Sequence, residues 1–281
     1  MLTTTTISIG SVLLNTVDSA GVKWVAKTVQ GWGASGSTIQ MVSKPRQAGG
    51  WAGLAYAAPR YVTVTGTVYA PTPAALNTAL DQLYAAVSLD DTVFTVTDAS
   101  LSRSLTVRRA AVVEPTRRTN LISDFTFQVV AADPRKVGSQ SSGVTGLPAS
   151  SGGLTIPFTI PFTIASTVVS GSVSLTNPGN DSGPVVLRID GPCQGPVITH
   201  ASSSTTAQLV FASTLSLGAG EWLTVNMDAH TALANDQSSR SSYITSRGWS
   251  AFDPGVNTWY FTATTYNSSS MLTVTAYPAW K

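Results

Sequence analysis

Cysteine and histidine are almost missing from this chain, with 1 Cys and 2 His in 281 residues. A single cysteine, Cys193, excludes an internal disulfide and a thiolate metal cluster, so the fold must stand without covalent staples. His200 and His230 are too few for a His-rich metal site. Charge is scarce as well: Asp, Glu, Lys and Arg make up 11% of the sequence, against about 25% in ordinary soluble domains. No stretch approaches the roughly 18 consecutive apolar residues of a membrane span. The N-terminal MLTTTTISIGSVLLNT has no basic segment ahead of an apolar run, so a secretory signal is not expected and folding in a cytosol is. Walker loops, dinucleotide fingerprints and zinc spacings are missing too.

What replaces the charge is Thr, Ser and Gly around a 43% hydrophobic content. Disorder needs low hydrophobicity and high net charge, so the chain should fold. Thr and Val suit a pleated, half-buried surface, which favours strands. A weakly charged exterior also suits a subunit whose neighbours cover its surface. The net charge of +2 divides unevenly: residues 1–136 carry 12 Lys+Arg against 8 Asp+Glu, and residues 137–281 carry 4 against 6. Neither half has the basic density of a dedicated nucleic-acid binder. The cluster Arg103, Arg108, Arg109, Arg117 and Arg118 reads as a solvated strand face.

Residues 1–136 read as a β domain with one helix. TISIGSVLL, VKWVAKTVQGW and RYVTVTGTVYA alternate as strands, the last with Gly66 as an expected bulge. The helix follows at Pro73 to Val87, with Thr72 as cap and Pro73 at the first helical position, where no N–H is needed. Leu76, Leu80, Leu83 and Val87 form its apolar stripe. DTVFTVTD, RSLTVRRAAVVEP and NLISDFTFQVVAADP return to strands. Residues 137–153, rich in Gly and Ser, read as a linker. Residues 154–281 then open on IPFTIPFTI, an edge strand or extended connector because Pro157 and Pro161 remove donors from one edge. Seven strands separated by turns follow, as in an antiparallel sandwich.

The chemical motifs resolve into architecture. NPGNDSG has calcium-loop flavour in Asn177, Asn180 and Asp181, but the closing position twelve residues in is Arg188 and strands flank the loop. GPCQGP places Cys193 as in a nucleophile elbow, yet a strand follows where a helix is required. Asp190, Glu221, Asp228, Asp236 and Asp253 offer no distinguished carboxylate pair. Among the second-half aromatics, Trp259 and Phe261 share a core face, whereas Trp222 and Trp249 are the candidate carbohydrate contacts. No catalytic, metal or cofactor site emerges.

Two sets of residues carry a resemblance. PRQAGGWAGLAYAAPRYVTVTGTVYAPTPAALNTALDQLYAAV resembles the ring-forming region of the distal tail proteins of long-tailed, non-contractile bacteriophages. NPGNDSGPVVLRIDGP, LSLGAGEWLTVNMD, SRGWSAF and DPGVNTWYFTAT, in that order, resemble the galectin-like sandwich appended to many of them. The resemblance implies a non-enzymatic virion protein without a cofactor, at the tail tip after assembly in the host cytoplasm. It implies a hexameric ring joining the tail-tube protein to the tip or baseplate hub, with a channel for the tape-measure protein and DNA. The sandwich would dock other tip proteins, receptor-binding proteins among them. A second expectation, from a different functional class, is an adhesin that attaches to host-surface glycans through Trp222 and Trp249.

Overall fold

A computed structural model of the chain describes residues 5–99, 101–151, 167–169, 171–265 and 267–281. It is mainly β, with one α-helix among the described residues and antiparallel strand pairing throughout. The chain divides into two compact units, Met1–Gly138 and Ser139–Trp280. IPFTIPFTI lies outside the described residues.

The first unit contains β1 (Thr5–Ile9), β2 (Val12–Leu14), β3 (Lys23–Gln30), β4 (Ser37–Ser43), β5 (Gly50–Ala57) and β6 (Arg60–Tyr69). After α1 (Pro73–Ala86) come β7 (Thr92–Asp98), β8 (Leu101–Arg109), β9 (Glu114–Arg117), β10 (Ile122–Ala131) and β11 (Lys136–Val137). One sheet runs β2-β1-β7-β8-β10-β6-β3, with β9 also paired to β10. Val62, Val64, Phe94, Phe125 and Phe127 are fully buried from this sheet, in one cluster with Leu76, Leu80 and Leu83 of α1. The helix forms where its capping chemistry predicts: the Thr72 hydroxyl accepts from the Ala75 N–H at 3.2 Å, and Pro73 opens the first turn. β4 and β5 stand apart as a two-stranded ribbon.

The bulge expected at Gly66 falls instead on the facing strand. Gly66 stays in register opposite Phe125 on β10, while β3 shifts register between Ala26 and Thr28, making Lys27 the extra residue. Gly66 is there because a Cβ would sit 2.4 Å from both Phe125 Cζ and the Val25 carbonyl oxygen. The bulge re-aims Lys27, whose Nζ lies 2.8 Å from Asp124. Asp124 also accepts from the Thr67 hydroxyl and the Arg118 guanidinium. Hydrogen bonds from Lys27 and Thr67 lead in holding its carboxyl well below the usual range.

In the second unit the strands are β12 (Ser141–Gly146), β13 (Ala149–Ser151), β14 (Thr167–Val169), β15 (Ser172–Asn177), β16 (Val185–Asp190), β17 (Cys193–Gln194) and β18 (Val197–Ala201). They continue as β19 (Thr206–Phe211), β20 (Ser216–Leu217), β21 (Trp222–Asn226), β22 (Thr231–Ala234), β23 (Ser238–Ser239), β24 (Ile244–Arg247), β25 (Gly255–Thr262), β26 (Met271–Ala276) and β27 (Ala279–Trp280). Two sheets, β12-β26-β16-β21-β22-β23 and β15-β25-β18-β19-β24, bury their inner faces in one core. Leu187, Val225 and Val274 come from the first, and Leu209, Trp259 and Phe261 from the second. This is sandwich packing.

The linker reading of 137–153 does not hold at β12, which pairs with β26 from Ser141↔Ala276 to Gly146↔Met271. Its Ser, Gly and Thr content hid the strand, because an edge strand takes its register from backbone hydrogen bonds as well as from side-chain alternation. Gly143 is a packing requirement: a Cβ there would come within 2.2 Å of Val173 Cγ2 on the other sheet.

Gly66→Ala should therefore destabilise the first unit by about 1–3 kcal/mol through overpacking, read as a lower urea midpoint. An unchanged midpoint would show that Phe125 has room to move.

Candidate assembly surface

The stretch Ser174–Pro196 consists of turns on either side of the core strand β16. Asn177 is buried; its amide donates to the carbonyls of Phe252 at 2.6 Å and Asp181 at 3.0 Å, and its side-chain oxygen accepts from the Gly179 N–H at 2.7 Å. That geometry leaves its oxygen turned to the backbone, where a calcium loop would need it turned to an ion. Arg188 extends over the Trp222 ring, 4.6 Å from its centroid, and pairs with Asp190 at 2.8 Å. Cys193 is buried, and desolvation raises its thiol to about 11, which disfavours the thiolate a nucleophile requires.

A buried polar network joins the loops of the sandwich. Asp253 accepts from the hydroxyls of Ser202 at 2.7 Å, Ser182 at 2.9 Å and Ser204 at 3.0 Å. Desolvation works to raise this carboxyl, but the hydroxyl donors more than offset it and leave its pKa lowered. Asn257 ties Asp253 to His200: its amide donates to the Asp253 carbonyl at 2.7 Å, and its oxygen lies 2.9 Å from His200 Nε2. His200 stacks on Trp259 with centroids 4.7 Å apart, and its Nδ1 has no hydrogen-bond partner among the described residues. Burial lowers its pKa, so the imidazole is held neutral.

The arginine cluster mostly serves local pairing. Arg108 is bidentate to Asp91 at 2.6 and 3.1 Å, Arg117 donates to Asn77, and Arg118 donates to Asp124. A separate pair of buried cations was not singled out from sequence. Arg60 and Lys136 both donate to the Gly33 carbonyl, with Arg60 also reaching Gly31 at 3.1 Å and Lys136 reaching Trp32 at 3.0 Å. They pin the Gly31–Gly33 turn, and desolvation brings Lys136 down to about 8.

The candidate carbohydrate residues are half-buried and already engaged. Trp222 carries Arg188 over one face and donates its indole N–H to Asp236 at 3.1 Å, and Trp249 stacks on His230 at 4.9 Å. Each ring therefore has at most one face for a ligand.

The β4–β5 ribbon carries a row of exposed large apolar side chains. Ile39, Met41, Val42, Trp51, Leu54 and Tyr56 are all exposed, Leu54 at 77%. A two-stranded ribbon is at best marginal by itself in water, and apolar patches of this kind mark interaction sites. A second exposed patch in the same unit, formed by Tyr84, Leu89 and Val112, lines a groove of ≈ 470 Å³.

No protein-family model matches the chain, and no curated protein matches it by sequence. Solved structures share its fold. The Dit protein of phage SPP1, a paradigm of the hub adsorption apparatus in phages infecting Gram-positive hosts, aligns with a TM-score of 0.66 at 14% identity. That alignment covers 99% of this chain and 99% of the other. A chain of the phage P2 baseplate, in its activated conformation with Ca, aligns with a TM-score of 0.53 at 9% identity over 96% and 97% of the two chains. The same baseplate with Sr gives 0.50 at 9% identity.

The buried imidazole makes the sandwich sensitive to acid. As pH falls through about 6.5, His200 is protonated in the unfolded chain while the folded chain resists it, so the unfolded state binds more protons and stability drops. Asp253, with its lowered pKa, adds stability that is lost only below about pH 4. Urea midpoints should be lower at pH 5 than at pH 7, with the difference reduced in His200→Gln. An equal difference in that variant would assign the acid sensitivity elsewhere.

Proposed function

We propose that this chain is a distal tail protein: a non-enzymatic subunit of a phage tail tip. In this reading, six copies form a ring through the first unit, joining the tail tube to the tip or baseplate hub. The galectin-like sandwich of the second unit offers a docking surface to other tip proteins. The observation that carries the reading is fold likeness over nearly the whole of both chains to a hub protein of a phage adsorption apparatus. The apolar ribbon supports the oligomeric part, since permanent assembly is what buries such a surface. The sandwich side chains add further support, because those with chemical potential, Asp253, His200 and Cys193, are spent on packing and loop closure.

A second reading, glycan attachment through the sandwich, rests on Trp222, whose half-exposed ring has Arg188 over one face and Asp236 bonded to its indole N–H. It predicts that glycan-array binding is lost in Trp222→Ala; an array without signal would remove it.

For the assembly role, light scattering should give a mass near six times the 29.2 kDa chain, and the protein should co-purify with tail-tube and hub proteins. A protein that joins neither would contradict the role.

A further inference from the structure

We propose that the Tyr84/Leu89/Val112 groove docks an extended segment of a different protein, one that presents apolar side chains and a carboxylate, with Arg109 as the carboxylate's partner. The inference goes beyond the assembly reading and rests on it only for the source of that segment, another tail protein.

The period of β8 accounts for the charge in the groove. Leu105 and Val107 are buried while Thr106 and Arg108 are exposed, so the odd-numbered residues at this end of the strand take the core side. Arg108 falls on the wet side, where Asp91 holds it. Arg109 falls on the core side at the last position of the strand. There it is half-buried and lines the groove with Tyr84, Leu89, Val112 and Val113. Its guanidinium forms no hydrogen bond or ion pair among the described residues. No carboxylate belongs to the groove's lining. A cation set in an apolar wall attracts a counter-charge more strongly than one in open water, because the local dielectric is lower. The guanidinium fork also takes a carboxylate at two points. Charge complementarity therefore selects an anionic occupant, and the apolar walls select one with an apolar body.

The backbone of the groove is a second, independent observation. Arg109 N–H donates to the Ser88 carbonyl at 2.8 Å and Ala110 N–H to the Gln128 carbonyl at 2.9 Å. Pairing then stops until β9 joins β10 at Glu114. Ala111, Val112 and Val113 make no backbone hydrogen bond among the described residues. Val113 is buried in the core and anchors this segment, whereas Ala111 and Val112 are exposed. Open peptide groups beside an apolar groove are what an incoming strand pairs with: its main chain supplies affinity and its side chains supply specificity. Pro115 has no N–H to carry such pairing on into β9, so the contact is confined to the groove.

The probe is the peptide acetyl-Ser-Leu-Thr-Asp-Thr-Leu-Ser-amide, whose two leucines and aspartate share one face when extended. Calorimetric titration into the full wild-type chain should show saturable binding, one peptide per chain. The same peptide with Asn in place of Asp should bind about tenfold more weakly, because a charge-assisted hydrogen bond loses its anion. Arg109→Gln should weaken the Asp peptide by a similar factor, and Val112→Asp should abolish its binding. Leu54→Asp, on the ribbon, should leave binding unchanged. Far-UV circular dichroism and thermal melts matching the wild type check that the variants are folded; the Asn peptide needs no variant, so it decides the matter even if one misfolds. No saturable binding, an Asn peptide that binds as tightly, or unchanged binding to folded Arg109→Gln or Val112→Asp overturns the inference. Binding seen only where the copies are dissociated gives the groove to a second copy of this chain and overturns it as well. None of these outcomes bears on the tail-tip reading, which co-purification with tail proteins decides separately.

Discussion

A two-stranded β-ribbon has no interior. Every apolar side chain on β4 and β5 is covered either by another element or by water, and here the large ones face water. Burying a side chain such as Leu, Val or Met is worth about 1.5–3 kcal/mol relative to leaving it exposed. Six such side chains on one protrusion therefore represent a substantial association energy held in reserve. The rest of the first unit supplies a rigid base for that protrusion. The Arg60 and Lys136 clamp fixes the Gly31–Gly33 turn just before β4, and β5 leads through Arg60 into β6, whose Val62, Val64 and Val68 belong to the main core.

The second unit shows how residues with the vocabulary of catalysis become structural. A carboxylate, an imidazole, an amide and three serine hydroxyls converge around Asp253 and His200, yet their hydrogen bonds tie loops and neighbouring strands together. A buried carboxylate is tolerable because donors surround it. The imidazole is tolerable because it stays neutral against Trp259. These polar groups are spent on internal contacts, and the low surface charge suits a sandwich that presents its exterior to other proteins.

Elements whose rules are local were legible in the sequence. Thr72 and Pro73 marked the helix start because capping chemistry acts within one turn. β16, β21 and β25 were readable because each alternates between a buried and a wet face, as Trp259, Tyr260 and Phe261 do. The ribbon was not readable, because Ala and Gly occupy much of β5 and both its faces are wet, which removes the period-two contrast. β12 was hidden because its Ser/Gly edge is positioned by β26 and by the close approach of Val173. The groove was invisible since its walls are distant in sequence, from Tyr84 to Val112. The bulge was misplaced by one strand: a glycine signalled close packing, and the extra residue sat opposite it at Lys27.

The proposed role is that of a tail-tip ring subunit whose exposed ribbon is buried on assembly. A cryo-EM map of the intact tail tip addresses it most directly. The account predicts a closed ring of identical copies, each ribbon covered by the next subunit. A tip without this chain, or a ring in which the ribbon remains exposed to solvent, would contradict it.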